Sequence, residues 1–242
     1  MSMLTVVPTP VGNMEDITER ALRILREASF VLAEDTRTTS NLFRHYGITT
    51  PLLSYHKFNE HEVVERYVSR IEAGEDAALV SDAGTPAISD PGYLIVAKCV
   101  ERGVEVQCLP GATAFVPALV DSGLPCDKFC FEGFLPHKKG RQTAIDRLSA
   151  EPRTMVLYES PFRLVKTLHQ LAEAFGADRR ASVSREISKK FEQTIRGTLA
   201  ELEKHFTAQP PKGEIVLIVE GTGWRTKADR DGNDDDTDDA ED

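Results

Sequence analysis

Residues 77–92 read AALV-SDAGTPAISDPG: a four-residue apolar run followed by a polar segment rich in Ser, Asp, Gly and Pro. An apolar run this short, bounded by turn formers, reads as a parallel strand covered on both faces, as do several of the other runs. Pro91 opens a helix at a first-turn position, where its missing N–H costs nothing, and Gly103 closes it. Strand, loop and helix in this order are the repeating unit of an α/β protein. The loop lies where α/β proteins bind ligands, beyond the carboxyl end of a strand.

The same alternation runs outward in both directions. Strands are expected at residues 4–7, 30–33, 52–54, 77–81 and 104–109, then at 129–132, 154–158, 181–185, 192–196 and 214–219. Asp16, with Glu19 three residues on, resembles a capping box, and Ile17, Ala21, Leu25 and Ala28 follow at helical spacing. Asn59 starts a helix whose Val63, Val64, Tyr67, Val68 and Ile71 form an apolar stripe ending at Gly74, and Pro161 opens another that runs to Gly176. The turn residues SGLPCD at 122–127 mark a break. Two α/β domains are therefore expected, 1–122 and 126–221, with no internal repeat.

Composition narrows the class. The chain has 242 residues, 39 of them acidic and 29 basic, for a net charge of −10. Nine of the acids but only Arg225, Lys227 and Arg230 lie beyond residue 221, so residues 1–221 carry only −4. The segment 222–242 lacks apolar periodicity and is expected to be a disordered acidic tail. No apolar run approaches the roughly 20 residues that cross a bilayer, and no signal peptide is evident, so a cytoplasmic protein is expected. Cys99, Cys108, Cys126 and Cys130 lack metal or redox spacing and read as buried, reduced thiols, with Cys126, Cys130 and His137 as a remote metal alternative.

Two loops carry the chemistry. The first, PTPVGN at 8–13, joins a strand to a helix with a single glycine, unlike a G-x-G-x-x-G dinucleotide fingerprint. In the second, at 81–92, Asp82 has two readings. It is a turn former, or a carboxylate that accepts from a ribose or amino group and suits a cation such as a sulfonium-bearing cofactor. Asp90 reads as a helix cap.

Nine segments recur in one order: PTPVGN, AEDTR, SDAGTPAISDPG, PGATA, SGLP, FEGFLPHKKGR, ESPFR, SREISKKFE and PKGEIVLIVEG. Together they span residues 8–221, and the chain from residue 4 to 221 resembles the ribosomal RNA small subunit methyltransferase I family of the tetrapyrrole-methylase superfamily. The resemblance implies two α/β domains of the tetrapyrrole-methylase type with S-adenosylmethionine in a cleft between them, usually in a homodimer. It also implies 2′-O-methylation of a cytidine ribose in the decoding region of 16S ribosomal RNA, within the 30S subunit. Methyl transfer from a sulfonium is an in-line displacement that gains from orientation and from a base, and needs no metal.

The site residues follow from loops and resemblance together. Pro10 and Gly12 of the first loop, and Ser81, Asp82, Gly84, Thr85, Ala87 and Ile88 of the second, are expected to hold the cofactor, with Asp82 as polar anchor. Ala112, Phe131 and Leu135 would complete that pocket, although core packing serves Phe131 equally well. Gly213 reads as a close backbone approach or a turn. The catalytic base is left open among Glu34, Asp35 with Arg37, and Arg185 with Glu186, with His56 a further candidate by its intrinsic pKa although a lone His is more often structural; Asp35 and Arg37 are expected to line the acceptor site. At this net charge RNA must be held by local patches. Those are His56, Lys57 and Asn59; His137, Lys138, Lys139 and Arg141; and Lys189. A tetrapyrrole C-methyltransferase is the nearest alternative; a non-catalytic cofactor sensor and a peptide methyltransferase are others. The first loop argues against the tetrapyrrole reading, because such enzymes carry a glycine-rich version there.

Overall fold

The computed structural model describes residues 2–223. They form two compact units, one of Met1–Ala114 with Ile187–Lys190, the other of Phe115–Glu186 with the described residues from Phe191 onward. The expected acidic tail falls outside the described residues from 224 on. Thr222 and Gly223 still belong to the fold, their N–H groups donating to Glu151 O at 2.8 Å and Pro152 O at 3.1 Å.

The first unit is a five-stranded parallel sheet in the order β3-β2-β4-β1-β5. Its strands are β1 (Met3–Val6), β2 (Phe30–Ala33), β3 (Leu52–Ser54), β4 (Ala77–Val80) and β5 (Glu105–Cys108). Helices α1 (Glu19–Glu27), α2 (Thr36–Tyr46), α3 (Glu60–Glu72) and α4 (Tyr93–Glu101) connect them. The apolar runs of β2 and β4 are buried throughout because alternate residues serve two cores. Phe30, Leu32, Ala77 and Leu79 pack with Val64, Tyr67, Val68 and Ile71 of α3 and Ile95 of α4. Val31, Ala33, Ala78 and Val80 pack with Ala21 and Leu25 of α1 and Phe43 of α2. Each Val, Leu, Ile or Phe among them contributes about 1.5–3 kcal/mol on burial, and each Ala less.

Two expected caps are corrected. Thr18, not Asp16, caps α1, accepting from Ala21 N at 3.1 Å, while Asp16 accepts from Ser188 Oγ. The N-cap of α4 is Gly92 at φ +148°, not Asp90: a Cβ there would lie 3.0 Å from both Ala87 Cβ and Leu79 Cδ2, so the chain can turn there only with glycine.

The second unit has α5 (Phe115–Asp121), β6 (Phe129–Phe134), α6 (Arg141–Ser149), β7 (Thr154–Glu159) and α7 (Leu164–Phe175). Then follow β8 (Arg180–Arg185), β9 (Gln193–Thr198), α8 (Leu199–Ala208) and β10 (Ile215–Val219). Its sheet, β6-β7-β10-β8-β9, is parallel only between β6 and β7. The apolar run of β10 therefore reports burial on both faces, not strand direction. The crossover through α7 places β8 parallel to β7 one position away, and β10 fills the gap antiparallel to both. Leu217 and Val219 pack with Leu164, Leu168 and Leu171 of α7 and Leu202 and Phe206 of α8. The units divide ahead of α5 rather than after it, because Asp121 at the end of α5 accepts from Arg196 of β9, Nε to O at 2.7 Å.

Among the described residues, no helix is long and apolar enough to cross a membrane.

Candidate functional site

In a parallel sheet all strands end on one side, so the loops after β1, β2 and β4 meet. Thr9 and Gly84 exchange two backbone hydrogen bonds of 2.9 Å, and Thr9 Oγ1 donates to Ser81 O at 3.1 Å. Thr85 Oγ1 donates to Ala112 O at 3.1 Å, tying in the loop after β5. Gly111 lies so close to Pro8 that a Cβ on it would sit 2.7 Å from Pro8 Cβ. The loops 8–13, 81–92 and 110–114 thus form one rigid frame. Ala87 holds φ +69°, a conformation that costs a non-glycine residue about 1–3 kcal/mol and persists where its surroundings impose it.

The frame borders a cleft of about 130 Å³. Thr9, Pro10, Gly12 and Met14 line it from the first loop, Thr38, Thr39 and Leu42 from α2, and Ser81 and Asp82 from the loop after β4. Thr39 is buried, 3 % exposed, and its Oγ1 has no hydrogen-bond partner among the described residues. An unmet buried hydroxyl costs roughly 1–3 kcal/mol, so a polar group entering the cleft has a partner in waiting.

Carboxylates gather around this end of the sheet. Asp82 Oδ1 accepts from Asp35 N at 3.2 Å, and Glu34 Oε2 accepts from Asp82 N at the long distance of 3.5 Å. Burial, then the charges of Asp90 and Asp82, raise the Glu34 pKa above the usual carboxylate range. Burial also raises that of Asp82. Asp35 moves the other way, held down to about 2 by its hydrogen bonds with Arg37. Asp35 is the N-cap of α2, accepting from Arg37 N at 2.8 Å and pairing with Arg37 Nη2 at 2.6 Å. Its polar atoms are thus committed to the helix start, and neither Asp35 nor Arg37 lines the cleft.

Other expected site residues have structural duties. Gly12 is bare because the Lys189 stem and Ile187 O, 2.4 and 3.0 Å away, occupy the place of a Cβ. Gly213, at φ +87°, leaves room for the Glu186 carboxylate, which accepts from Glu214 N at 3.0 Å. Arg185 donates to Gln193 Oε1 at 2.9 Å. Leu135 lies in the core of the second unit, and Phe131 packs between Phe115 and Tyr158 at 5.0 and 5.2 Å between ring centres. The Asn59 side chain accepts from His56 N at 2.8 Å and donates to Ser54 O at 3.2 Å, so it braces its own loop.

Arg141 departs most from expectation. It is 7 % exposed, and its guanidinium donates to Gln170 Oε1 at 2.9 Å, Pro136 O at 3.2 Å and Thr167 Oγ1 at 2.7 Å. It also lies 3.8 Å from Glu159, which pairs with Arg163 at 2.7 Å. Arg141 is therefore a buried tie between α6, α7 and β7, not a phosphate ligand. His137, Lys138 and Lys139 before it are exposed, as is Lys57.

Sequence reasoning passed over three aromatics that stand in solvent: Phe58 at 90 %, Phe162 at 97 % and Phe191 at 65 % exposure. Each sits in a quoted motif or beside a basic residue, so the composition of their loops was the available signal. The thiols are also redistributed, since Cys108 and Cys126 are exposed. Among the described residues no group of three or more His, Cys, Asp or Glu is placed to hold a metal.

The family model for Tetrapyrrole (Corrin/Porphyrin) Methylases matches residues 3–203. The chain belongs to this family. Within the tetrapyrrole methylases it is similar to ribosomal RNA small subunit methyltransferase I of Pseudomonas aeruginosa, 49 % identical over 92 % of this chain and 79 % of that protein. The protein of the same name from Thermotoga maritima is 43 % identical over 91 % of this chain and 99 % of that one. Among solved tetrapyrrole-methylase folds, diphthine synthase superposes with a TM-score of 0.70 at 16 % identity, covering 91 % of this chain and 90 % of that one. Uroporphyrin-III C-methyltransferase from Thermus thermophilus, solved with S-adenosylhomocysteine, gives 0.63 at 20 % identity over 92 % and 98 %. These two likenesses establish the fold.

Proposed function

We propose that this chain transfers a methyl group from S-adenosylmethionine to the ribose 2′-oxygen of a cytidine in the decoding region of 16S ribosomal RNA. The observation that carries the reading is identity of 43–49 % over about nine-tenths of the chain with proteins named ribosomal RNA small subunit methyltransferase I. The uroporphyrin-III C-methyltransferase and diphthine synthase structures, at 20 % and 16 % identity, speak for the fold alone. One superfamily fold hosts several acceptors, so the acceptor must be argued from the site.

The site suits this chemistry. S-adenosylmethionine, when bound, supplies an electrophilic methyl group on a positively charged sulfur. The carboxylates of Glu34, Asp82 and Asp90 favour positive charge at the strand ends, and the frame built by Thr85, Ala87 and Ala112 offers rigid backbone for its remainder. Of the residues considered as base, Glu34 is preferred for its proton chemistry; like Asp35 and Arg37 it does not line the cleft, but its Oε2 lies 3.5 Å from the N of Asp82, which does. The raised pKa of Glu34 makes it a better proton acceptor than an ordinary carboxylate, and the charges that raise it also discourage loss of the neutral form once it has taken the 2′-hydroxyl proton. Lys57, Lys138 and Lys139 supply exposed positive charge for phosphates, which holds RNA without reading its sequence. The enzyme works in the cytoplasm as a homodimer on the 30S subunit.

The test is methyl transfer from labelled S-adenosylmethionine to 30S subunits from a strain lacking this activity, with the product located by mass spectrometry. Label on the ribose of a decoding-region cytidine is expected. Cofactor turnover on a tetrapyrrole, with no label in RNA, would refute the proposal.

A further inference from the structure

The cleft between the first loop and α2 has a size and a chemistry that the reaction alone does not explain. Its volume, about 130 Å³, is close to that of an engineered cavity of about 150 Å³ that holds one benzene ring. A single six-membered ring matches that volume. Pro10, Met14 and Leu42 give it apolar walls, while Thr39, Ser81 and Asp82 place polar groups around them.

We propose that this cleft receives the base of the target nucleotide as a single pyrimidine ring, with Asp82 accepting from its exocyclic amino group and Thr39 meeting another polar edge. The inference rests on the ribose-methyltransferase reading and adds the subsite that selects the acceptor. Asp82 accepts from Asp35 N through Oδ1, and among the described residues its other oxygen has no hydrogen-bond partner. A carboxylate is an acceptor only. Cytosine presents an amino donor at the position where uracil presents a carbonyl oxygen, so the carboxylate favours the first and repels the second. Thr39 Oγ1 lacks any partner among the described residues. Rotation about one side-chain bond exchanges its methyl and hydroxyl, two arrangements that threonine adopts in helices. A base drawn from the stack would satisfy that hydroxyl and bury its own polar edge at once.

The test titrates the whole protein, with S-adenosylhomocysteine present, with CMP, UMP and AMP, following methyl-labelled Thr39 and Leu42 by NMR. CMP is expected to shift both methyls and to bind about 10-fold more tightly than UMP or AMP. Asp82→Asn, whose amide can also donate, should erase the preference for CMP over UMP. Thr39→Val should weaken CMP binding about 10-fold without lowering Tm, because a hydroxyl with no partner does not hold the fold. AMP binding as tightly as CMP, shifts confined to other methyls, or unchanged selectivity in both variants would overturn the proposal. Methyl transfer to 30S subunits is read separately. If it fails while CMP is selected, the reaction is misassigned and the pocket stands; if it succeeds while nucleotides are not discriminated, the pocket falls alone.

Discussion

Replacing Arg141 by Met keeps an unbranched stem and removes the guanidinium. In the structure that group donates to Gln170, Pro136 O and Thr167 at 2.7–3.2 Å, in a site only 7 % exposed. The loss is smaller than for an isolated buried pair, because Glu159 keeps Arg163 at 2.7 Å and the hydroxyl of Thr167 at 2.6 Å. Three charge-assisted hydrogen bonds disappear, partly offset by the desolvation that the guanidinium no longer suffers, for a net cost of about 2–4 kcal/mol. In a protein of this size each kcal/mol moves Tm by roughly 2–4 °C. Arg141→Met should therefore melt on the order of 10 °C lower, measured by calorimetry and by urea unfolding. Its affinity for a 16S ribosomal RNA fragment, measured at several salt concentrations, should keep the wild-type slope of log K against log salt. Lys139→Ala should lose about 0.7–0.9 from that slope, the signature of one phosphate contact, with Tm unchanged. The reverse pattern, an unchanged Tm and a shallower slope for Arg141→Met, would make Arg141 a phosphate ligand and refute the argument.

Gly111→Ala puts a Cβ 2.7 Å from Pro8 Cβ and 2.9 Å from Pro8 Cγ, and overpacking against a rigid ring should cost about 1–3 kcal/mol. It should also weaken S-adenosylhomocysteine binding by calorimetric titration, because the Gly111–Pro8 contact holds together the frame that offers its backbone to the cofactor. Glu34→Gln should slow methyl transfer by about 100-fold or more, as expected for loss of a general base, and should abolish the rise in rate as pH passes through the raised pKa of Glu34. In stability the sign is opposite. The folded state disfavours ionised Glu34, so wild type should lose stability relative to Glu34→Gln as pH rises through that raised value. Asp35, held near about 2, stabilises the fold above its unfolded pKa of about 3.9. That contribution should fade as pH falls from about 4 toward 2, and Asp35→Asn, which can still cap α2, should lack this window in urea titrations.

Much of the fold was legible because short apolar runs and turn residues act locally. The strands β2 and β3 begin and end where the sequence places them, and each of the other eight strand segments overlaps its expected range. Strand direction in the second unit was not legible. The run IVLIV of β10 reads the same whether its neighbours run parallel or antiparallel, and only the crossover through α7 decides. Caps were misread where two candidates stood close together, as with Asp16 and Thr18, since the choice depends on where the preceding 3₁₀ turn, Met14–Asp16, leaves the chain. In the site, the loops were legible as loops but the fate of each polar atom was not. Nothing local tells that the Arg141 guanidinium turns inward to Thr167 and Gln170, distant in sequence, while Lys138 and Lys139 turn outward. Thr39 attracted no notice, because a threonine in a helix is unremarkable until its surroundings show its hydroxyl without a partner.

The contrast between satisfied and unsatisfied groups is what locates the chemistry. Arg141, Asn59, Asp35 and Glu186 all looked functional by residue type, yet each has named partners that account for it, within its own loop for Asn59 and Asp35 and across the sequence for Arg141 and Glu186. At the ends of β1, β2 and β4 the balance differs. Ala87 holds a strained backbone, Thr39 an unmet hydroxyl, and Glu34 a charge that its surroundings oppose. Each costs free energy in the folded chain, and an arrangement serving stability alone would have no reason to collect them in one place. Local conflicts of this kind concentrate where a fold answers to a ligand as well as to itself. Binding should therefore relieve them together: with ligand in the cleft, wild type should gain more Tm than a protein carrying both Thr39→Val and Glu34→Gln. Equal gains would mean that the Thr39 and Glu34 conflicts have nothing to do with the ligand.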